Sequence, residues 1–167
     1  MPLEIRALLP TDPPLFESAF TAQGWNKPAL QYEHYLELQA NGSRDVLVAT
    51  VAGDFAGYLT IEWVAGYAPF KEARIPEIVD FNVLLKHQRQ GIGSALMEEA
   101  ERRISERSPV AGIGVGLTPD YGPAQILYVK RGYIPDGRGL DYDGQILNWG
   151  AQTVVDDSLV LHLTKRL

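Results

Sequence analysis

The chain contains no cysteine. That excludes disulfides, thiolate metal ligation and a cysteine nucleophile. Histidine is scarce as well: His34, His87 and His162 are scattered and share no ligand spacing, so no metal is expected. His87 reads as an exposed turn residue. No apolar run approaches the roughly 18 residues that a membrane span requires. The start, Met1-Pro2-Leu3-Glu4-Ile5-Arg6, lacks a basic segment followed by an apolar stretch, so no membrane association and a cytoplasmic location are expected. Positive charge is in deficit, with 15 Lys and Arg against 21 Asp and Glu and a net charge of −6. An acidic chain without a basic block is a poor partner for nucleic acid. A Gly-x-Ser-x-Gly nucleophile elbow is also missing. Repeats, low-complexity tracts and linkers are absent, so one domain over residues 1–167 is expected.

What is present is enough apolar residue, 46% of the chain, to build a substantial core. Leu3–Leu8 reads as a first strand. Pro13-Pro14 opens a helix to about Phe20, with Asp12 as a candidate cap. Pro28 opens a second helix to about Ala40, which Asn41-Gly42 ends. Asp45–Val51 and Phe55–Trp63 are β-rich runs around a hairpin turn at Ala52-Gly53-Asp54. Ile75–Leu85 is the next strand. Gly91–Arg107 has the strongest helical periodicity, through Ile92, Leu96, Met97, Ala100 and Ile104. Val110–Leu117 is a small-residue strand and Pro123–Arg131 a short helix. Tyr133-Ile134 begins a strand, Asp136–Asp157 is a long connection, and Ser158–Thr164 is a last strand. The expected order is β-α-α-β-β-β-α-β-α-β-β, a mixed α/β sheet with helices on its faces.

The stretch from Asn82 to Met97 runs from an apolar segment through a polar turn into two glycines and a helix. A helix N-terminus offers free N–H donors and partial positive charge, and glycine lets a ligand approach the main chain. Three phosphate-binding patterns compete for it. A P-loop needs Lys-Ser/Thr after its second glycine, and Gly93 is followed by Ser94-Ala95. A dinucleotide fingerprint needs a third small residue where Leu96 stands, and an acidic residue near Val110–Gly114, where there is none. The third is Gln/Arg-x-x-Gly-x-Gly/Ala, satisfied by Gln88, Gly91 and Gly93.

That pattern resembles the acetyl-coenzyme A loop of the GNAT family of N-acetyltransferases. A second segment, Tyr121 to Tyr133, is similar to the family's other signature, Asn-x-x-Ala-x-x-x-Tyr-x-x-x-Gly-Phe/Tyr. Ala124, Tyr128, Gly132 and Tyr133 match it, while Tyr121 stands where the family usually has Asn. The resemblance covers about a third of the chain and implies a central mixed sheet of about seven strands flanked by about four helices. It also implies transfer of an acetyl group from acetyl-coenzyme A to a primary amine of a small molecule or peptide, in a direct ternary complex without metal. Homodimers are common in the family, so a second copy is an implied partner.

The resemblance further implies residue roles. Main-chain amides across Gln88, Arg89, Gln90, Gly91, Ile92, Gly93 and Ser94 would hold the pyrophosphate. Main-chain groups of Val83 and Leu85 would pair with the pantetheine arm like an added strand. The amide of Leu84, next after Val83, would be the oxyanion donor. Tyr121 and Ala124 would line the coenzyme, and Tyr128 would protonate the departing sulfur, since a phenol with a pKa near 10 stays protonated at neutral pH. Glu77 is a candidate base by its offset from Val83, and Asp80 competes with it. By strand alternation Glu77 shares a face with Val79, Phe81 and Val83, and Asp80 with Ile78, Asn82 and Leu84. A carboxylate among apolar neighbours would have its pKa raised, which suits a base. The acceptor is expected between Trp25, Tyr32, Glu33 and Tyr35 and the connection carrying Asp141, Tyr142, Asp143, Trp149, Asp156 and Asp157. Aromatics with carboxylates suit an ammonium group. The competing reading is a non-catalytic acyl-coenzyme A sensor or scaffold.

Overall fold

Ala52 and Gly53 both take positive φ, 52° and 88°. That is the two-residue hairpin geometry that matches strand twist. The hairpin joins β2 (Arg44–Val51) to β3 (Asp54–Glu62), and β1 (Leu3–Ala7) pairs antiparallel with β2. The structure, a computed structural model, describes residues 2–167. It holds eight strands and five α-helices in mixed order, one more of each than expected. The chain divides into two compact units, one taking in residues up to Trp63 and Ile78–Arg103, the other Val64–Glu77 and Ile104–Leu167.

In the first unit the strand order is β1-β2-β3-β4, with β4 at Glu77–Val83. Helix α1 (Asp12–Ala22) and α2 (Ala29–Ala40) cover a core of Leu8, Phe16, Phe20, Tyr32, Val46, Val48, Tyr58 and Leu84. Phe16 stacks on Phe55 and meets Tyr32 edge-on, with ring centroids 5.1 Å apart in the second pair. Such pairs contribute about 0.5–1.5 kcal/mol beyond their buried area. Asp12 does not cap α1. It is the first helical residue after Thr11, and its buried carboxylate accepts from both Arg6 guanidinium nitrogens, at 2.7 and 2.9 Å, and from the Leu9 amide. Gly57 lies against β4 so closely that a Cβ there would come 2.6 Å from the Asn82 carbonyl oxygen. Helix α4 (Ile92–Ser105) begins one residue later and ends two earlier than expected.

In the second unit the strand order is β5-β8-β6-β7, with β5 at Val110–Gly116, β6 at Ile134–Tyr142, β7 at Gln145–Ile146 and β8 at Leu159–Arg166. Both β5 and β6 pair antiparallel with β8. Glycines alternate along β5. A Cβ at Gly112 would run into the Phe70 ring, one at Gly116 into the Tyr121 ring, and one at Gly114 would meet Val160 Cγ1 at 2.8 Å. Their shared face is therefore a flat floor for rings. Helix α3 (Ala68–Ala73), not foreseen, seats Phe70 in a small core with Ala65, Tyr67 and Ile75. Helix α5 is Gly122–Lys130. The expected long connection is shorter than read, because β6 and β7 take up its first half.

Candidate active site

The first unit carries the glycine turn. Strand β4 leads into a single 3-10 turn, Leu85–His87, where His87 is half-buried with its Nε2 shielded rather than exposed as expected. Arg89 and Gly91 then take left-handed φ, 58° and 82°, and turn the main chain into α4. The first intrahelical bond runs from the Ala95 amide to the Gly91 carbonyl. The amides of Ile92, Gly93 and Ser94 therefore lie in the first turn, ahead of that bond, where helix donors lack intrahelical acceptors. Gly91 has nothing within 4 Å of the place a Cβ would take, so the approach to these amides is open. Gln88 and Gln90 fold back onto the main chain, Nε2 donating to the Val83 and Lys86 carbonyls at 3.3 and 3.1 Å.

The edge of β4 is partly engaged. The Leu85 amide donates to Gln23 Oε1 at 3.0 Å, and the Val83 carbonyl accepts from Gln88. The Leu84 amide, expected as oxyanion donor, instead donates to the Ala56 carbonyl at 2.9 Å, because Leu84 is a core residue whose backbone closes the pairing with β3.

Asp80 is the polar centre of this unit. It sits in β4 at φ 51°, a left-handed position that Asp tolerates better than bulkier residues. Oδ1 accepts from Lys27 Nζ and Asn82 Nδ2, both at 2.8 Å. Oδ2 accepts from Gln31 Nε2, Tyr35 OH and Tyr58 OH at 2.8, 2.9 and 2.6 Å. Burial raises the pKa of this carboxyl, but Lys27 and the hydroxyl donors outweigh it and hold the group below its ordinary value. The expectation of a raised pKa among apolar neighbours fails here, because long-range donors supply what water would. Asp80 and Asn82 do lie on one side, as alternation requires.

Of the aromatics expected to receive the acceptor, Tyr32 is wholly buried and meets Tyr58 OH at 3.4 Å, so it belongs to the core. Trp25 is about one-third exposed and stacks on Phe20, and Glu33 is exposed on α2.

The second unit carries the other candidates. Tyr128 lies on α5, 5% exposed, and burial raises its pKa, so the phenol is protonated at any physiological pH. Ala124 is half-buried one turn earlier. Tyr121 closes the 3-10 turn Pro119–Tyr121, lies over Gly116, and donates to Asp157 Oδ1 at 2.9 Å. Burial and the Asp157 carboxylate push its pKa up to about 12.

Asp141 is not in a connection. It is buried in β6, where Oδ2 meets His162 Nε2 at 3.1 Å and Oδ1 accepts from the Gly144 amide. Asp143 occupies the left-handed turn between β6 and β7, and Trp149 stands fully in solvent. Glu77, at the start of β4, is buried with Oε1 3.6 Å from His162 Nδ1. His162 is the residue the sequence missed. Its partners, Glu77 from β4 and Asp141 from β6, come from two strands far apart in the chain, and only the β5-β8-β6 pairing brings β8 beside Asp141. Among the described residues no group of three or more His, Cys, Asp or Glu could hold a metal ion, and no helix is long and apolar enough to cross a membrane.

An acetyltransferase (GNAT) domain model matches residues 42–135. No curated protein matches the sequence. Solved structures match over nearly the whole chain. A ribosomal-protein-alanine N-acetyltransferase from Brucella melitensis is 20% identical with a TM-score of 0.71, covering 98% of this chain and 99% of its own. An acetyltransferase from Salmonella typhimurium that modifies the N-terminal serine of ribosomal protein L7/L12 is 13% identical with a TM-score of 0.72, covering 99% and 95%. A spermidine N-acetyltransferase chimera from Vibrio cholerae is 14% identical with a TM-score of 0.70, covering 98% and 95%.

Proposed function

Because the chain belongs to the GNAT acetyltransferase family, we propose that it moves an acetyl group from acetyl-coenzyme A to a primary amine by direct attack in a ternary complex. The observation that carries this reading is the turn at Arg89 and Gly91, whose two left-handed residues leave an open approach to the first amides of α4. Those amides suit a diphosphate, since donors and helix dipole act together there. Residues Gln88–Ser94 would supply them, and the edge of β4 at Val83 and Leu85 would take the pantetheine arm once Gln23 and Gln88 yield their bonds. When bound, the coenzyme supplies an acyl group activated as a thioester.

The acceptor nitrogen bonds to the acetyl carbon as the carbon–sulfur bond breaks. The acceptor's ammonium first gives one proton to Glu77, the leaving sulfur takes the phenolic proton of Tyr128, and the proton the nitrogen sheds on forming the amide restores the phenol. Asp80, already satisfied by five donors, orients its surroundings rather than accepting that proton. The acceptor class is a small amine or a peptide amine. Solved relatives in fold include enzymes for ribosomal proteins and for spermidine. A second reading, acyl-coenzyme A binding without turnover, draws support from Tyr121, whose ring and hydroxyl are committed to Gly116 and Asp157 where the family usually has Asn.

Coenzyme A release measured with a panel of polyamines, amino acids and peptides separates the two. Release with at least one amine is the expected result, and binding without release would sink the transfer reading. Gly91→Ala should weaken acetyl-coenzyme A binding in calorimetry, because its methyl group would stand in the open approach to the amides.

A further inference from the structure

We propose that His162 is a positioning residue for the transfer: through Nδ1 it holds Glu77 ready to accept the ammonium proton, and Asp141 holds it in turn through Nε2. The inference rests on the acetyltransferase reading with Glu77 as base.

Glu77, Asp141 and His162 are each at most 8% exposed in their side chains. Acidic side chains are almost never buried this far unless paired. One imidazolium between two carboxylates leaves one negative charge uncompensated, and the geometry says where it resides. Asp141 is well satisfied, with His162 Nε2 at 3.1 Å from one oxygen and the Gly144 amide at 2.7 Å from the other. Glu77 has only the longer 3.6 Å ion-pair approach to Nδ1 among the described residues, just beyond hydrogen-bond distance, so His162 holds it by charge rather than by a hydrogen bond. Glu77 is thus the carboxylate with spare capacity for a proton.

The ring cannot swing away. It stacks on Tyr67 with centroids 3.5 Å apart and planes 10° apart, and the Phe70 ring meets it edge-on. Tyr67 is fixed by donating to Asp136 Oδ2 at 2.9 Å, and Arg138 stands 3.6 Å from that carboxylate. On the β5 side Gly114 supplies no charge and no side chain. The charged and titratable neighbours of the imidazole are therefore Glu77 from β4, Asp141 from β6, Tyr67, and behind Tyr67 the Asp136–Arg138 pair. Burial disfavours the imidazolium, but the two carboxylates outweigh it and the pKa lies above the ordinary 6.5.

The test is the pH dependence of kcat/KM with the amine found in the panel. His162→Gln should lower kcat, change the shape of that profile and leave the KM for acetyl-coenzyme A unchanged. A folded His162→Gln enzyme with the wild-type profile overturns the inference. Should that variant not fold, imidazole titration by NMR in the wild-type chain decides: one histidine should titrate above the ordinary value and fall in Glu77→Gln. Three histidines titrating at or below the ordinary value overturn it. Glu77→Gln with full kcat/KM overturns this inference and leaves the transfer reading standing. Absence of coenzyme A release with every amine sinks the transfer reading itself, and this inference with it.

Discussion

Asp80 accepts hydrogen bonds from five side chains while its backbone sits at φ 51°. Each donor is left short of a partner if the carboxylate is lost. Asp80→Asn should lower unfolding free energy by about 1–3 kcal/mol, read as a drop in the urea midpoint at unchanged slope. Beyond Asp80 and Asn82 this cluster was not legible beforehand, since Lys27, Gln31, Tyr35 and Tyr58 lie more than 20 residues away in the chain and only folding gathers them. The place of Tyr128 on a short helix was legible, because its signal is a local spacing. Its test is Tyr128→Phe, which keeps the ring and removes one proton donor. A positioned acid contributes roughly 100- to 10,000-fold, so kcat should fall by that factor with acetyl-coenzyme A affinity nearly constant in calorimetry. A purely structural tyrosine would show the opposite, kcat kept and melting temperature lowered.

Elements with a strong period or an explicit turn were read within a few residues: the β2–β3 hairpin, α2, α4, α5 and β5. Three others were not: α3, β6 beyond its first residues, and β7, which lies inside the expected connection. Helix α3 spans only Ala68–Ala73, too short for a helical period to show, and ends at Arg74 in a left-handed cap. Strand β6 passes through Pro135, Gly137 and Gly139, which signal a loop. It survives because its pairing with β8 slips between Pro135 and Leu140 and resumes. Gly57 tests the packing of two elements the sequence did identify. A methyl group there would meet the Asn82 carbonyl oxygen at 2.6 Å and Val83 Cα at 2.9 Å. Backbone cannot rotate aside as a side chain can, so Gly57→Ala should destabilise the protein by about 1–3 kcal/mol, measured by thermal unfolding. It should also weaken acetyl-coenzyme A binding, because β4 would shift at Val83.

Across the whole chain, two groups with opposite shifts frame the pH dependence of stability. His162 has a raised folded pKa, so its contribution is complete below the unfolded value of 6.5 and is lost as pH rises through the folded value. Asp80 has a lowered folded pKa, so its contribution is complete above the unfolded value of 3.8 and is lost as pH falls through the folded value. The melting temperature should peak between those two unfolded values and decline on both sides. His162→Gln should flatten the alkaline decline and Asp80→Asn the acid one. An alkaline limb unchanged in His162→Gln would show that other groups govern it.

The flat floor of β5 also constrains how this sequence can drift. Tyr121 fits where it does because Gly116 has no side chain. A lineage that placed Asn at position 121 would free that space and relax the demand for glycine at 116. A lineage that first acquired Ala at 116 would have to displace the ring. The order of events is therefore asymmetric: the tyrosine is replaced first, and the glycine becomes replaceable only afterwards. Among descendants, a larger residue at 116 should be inherited only together with a smaller one at 121.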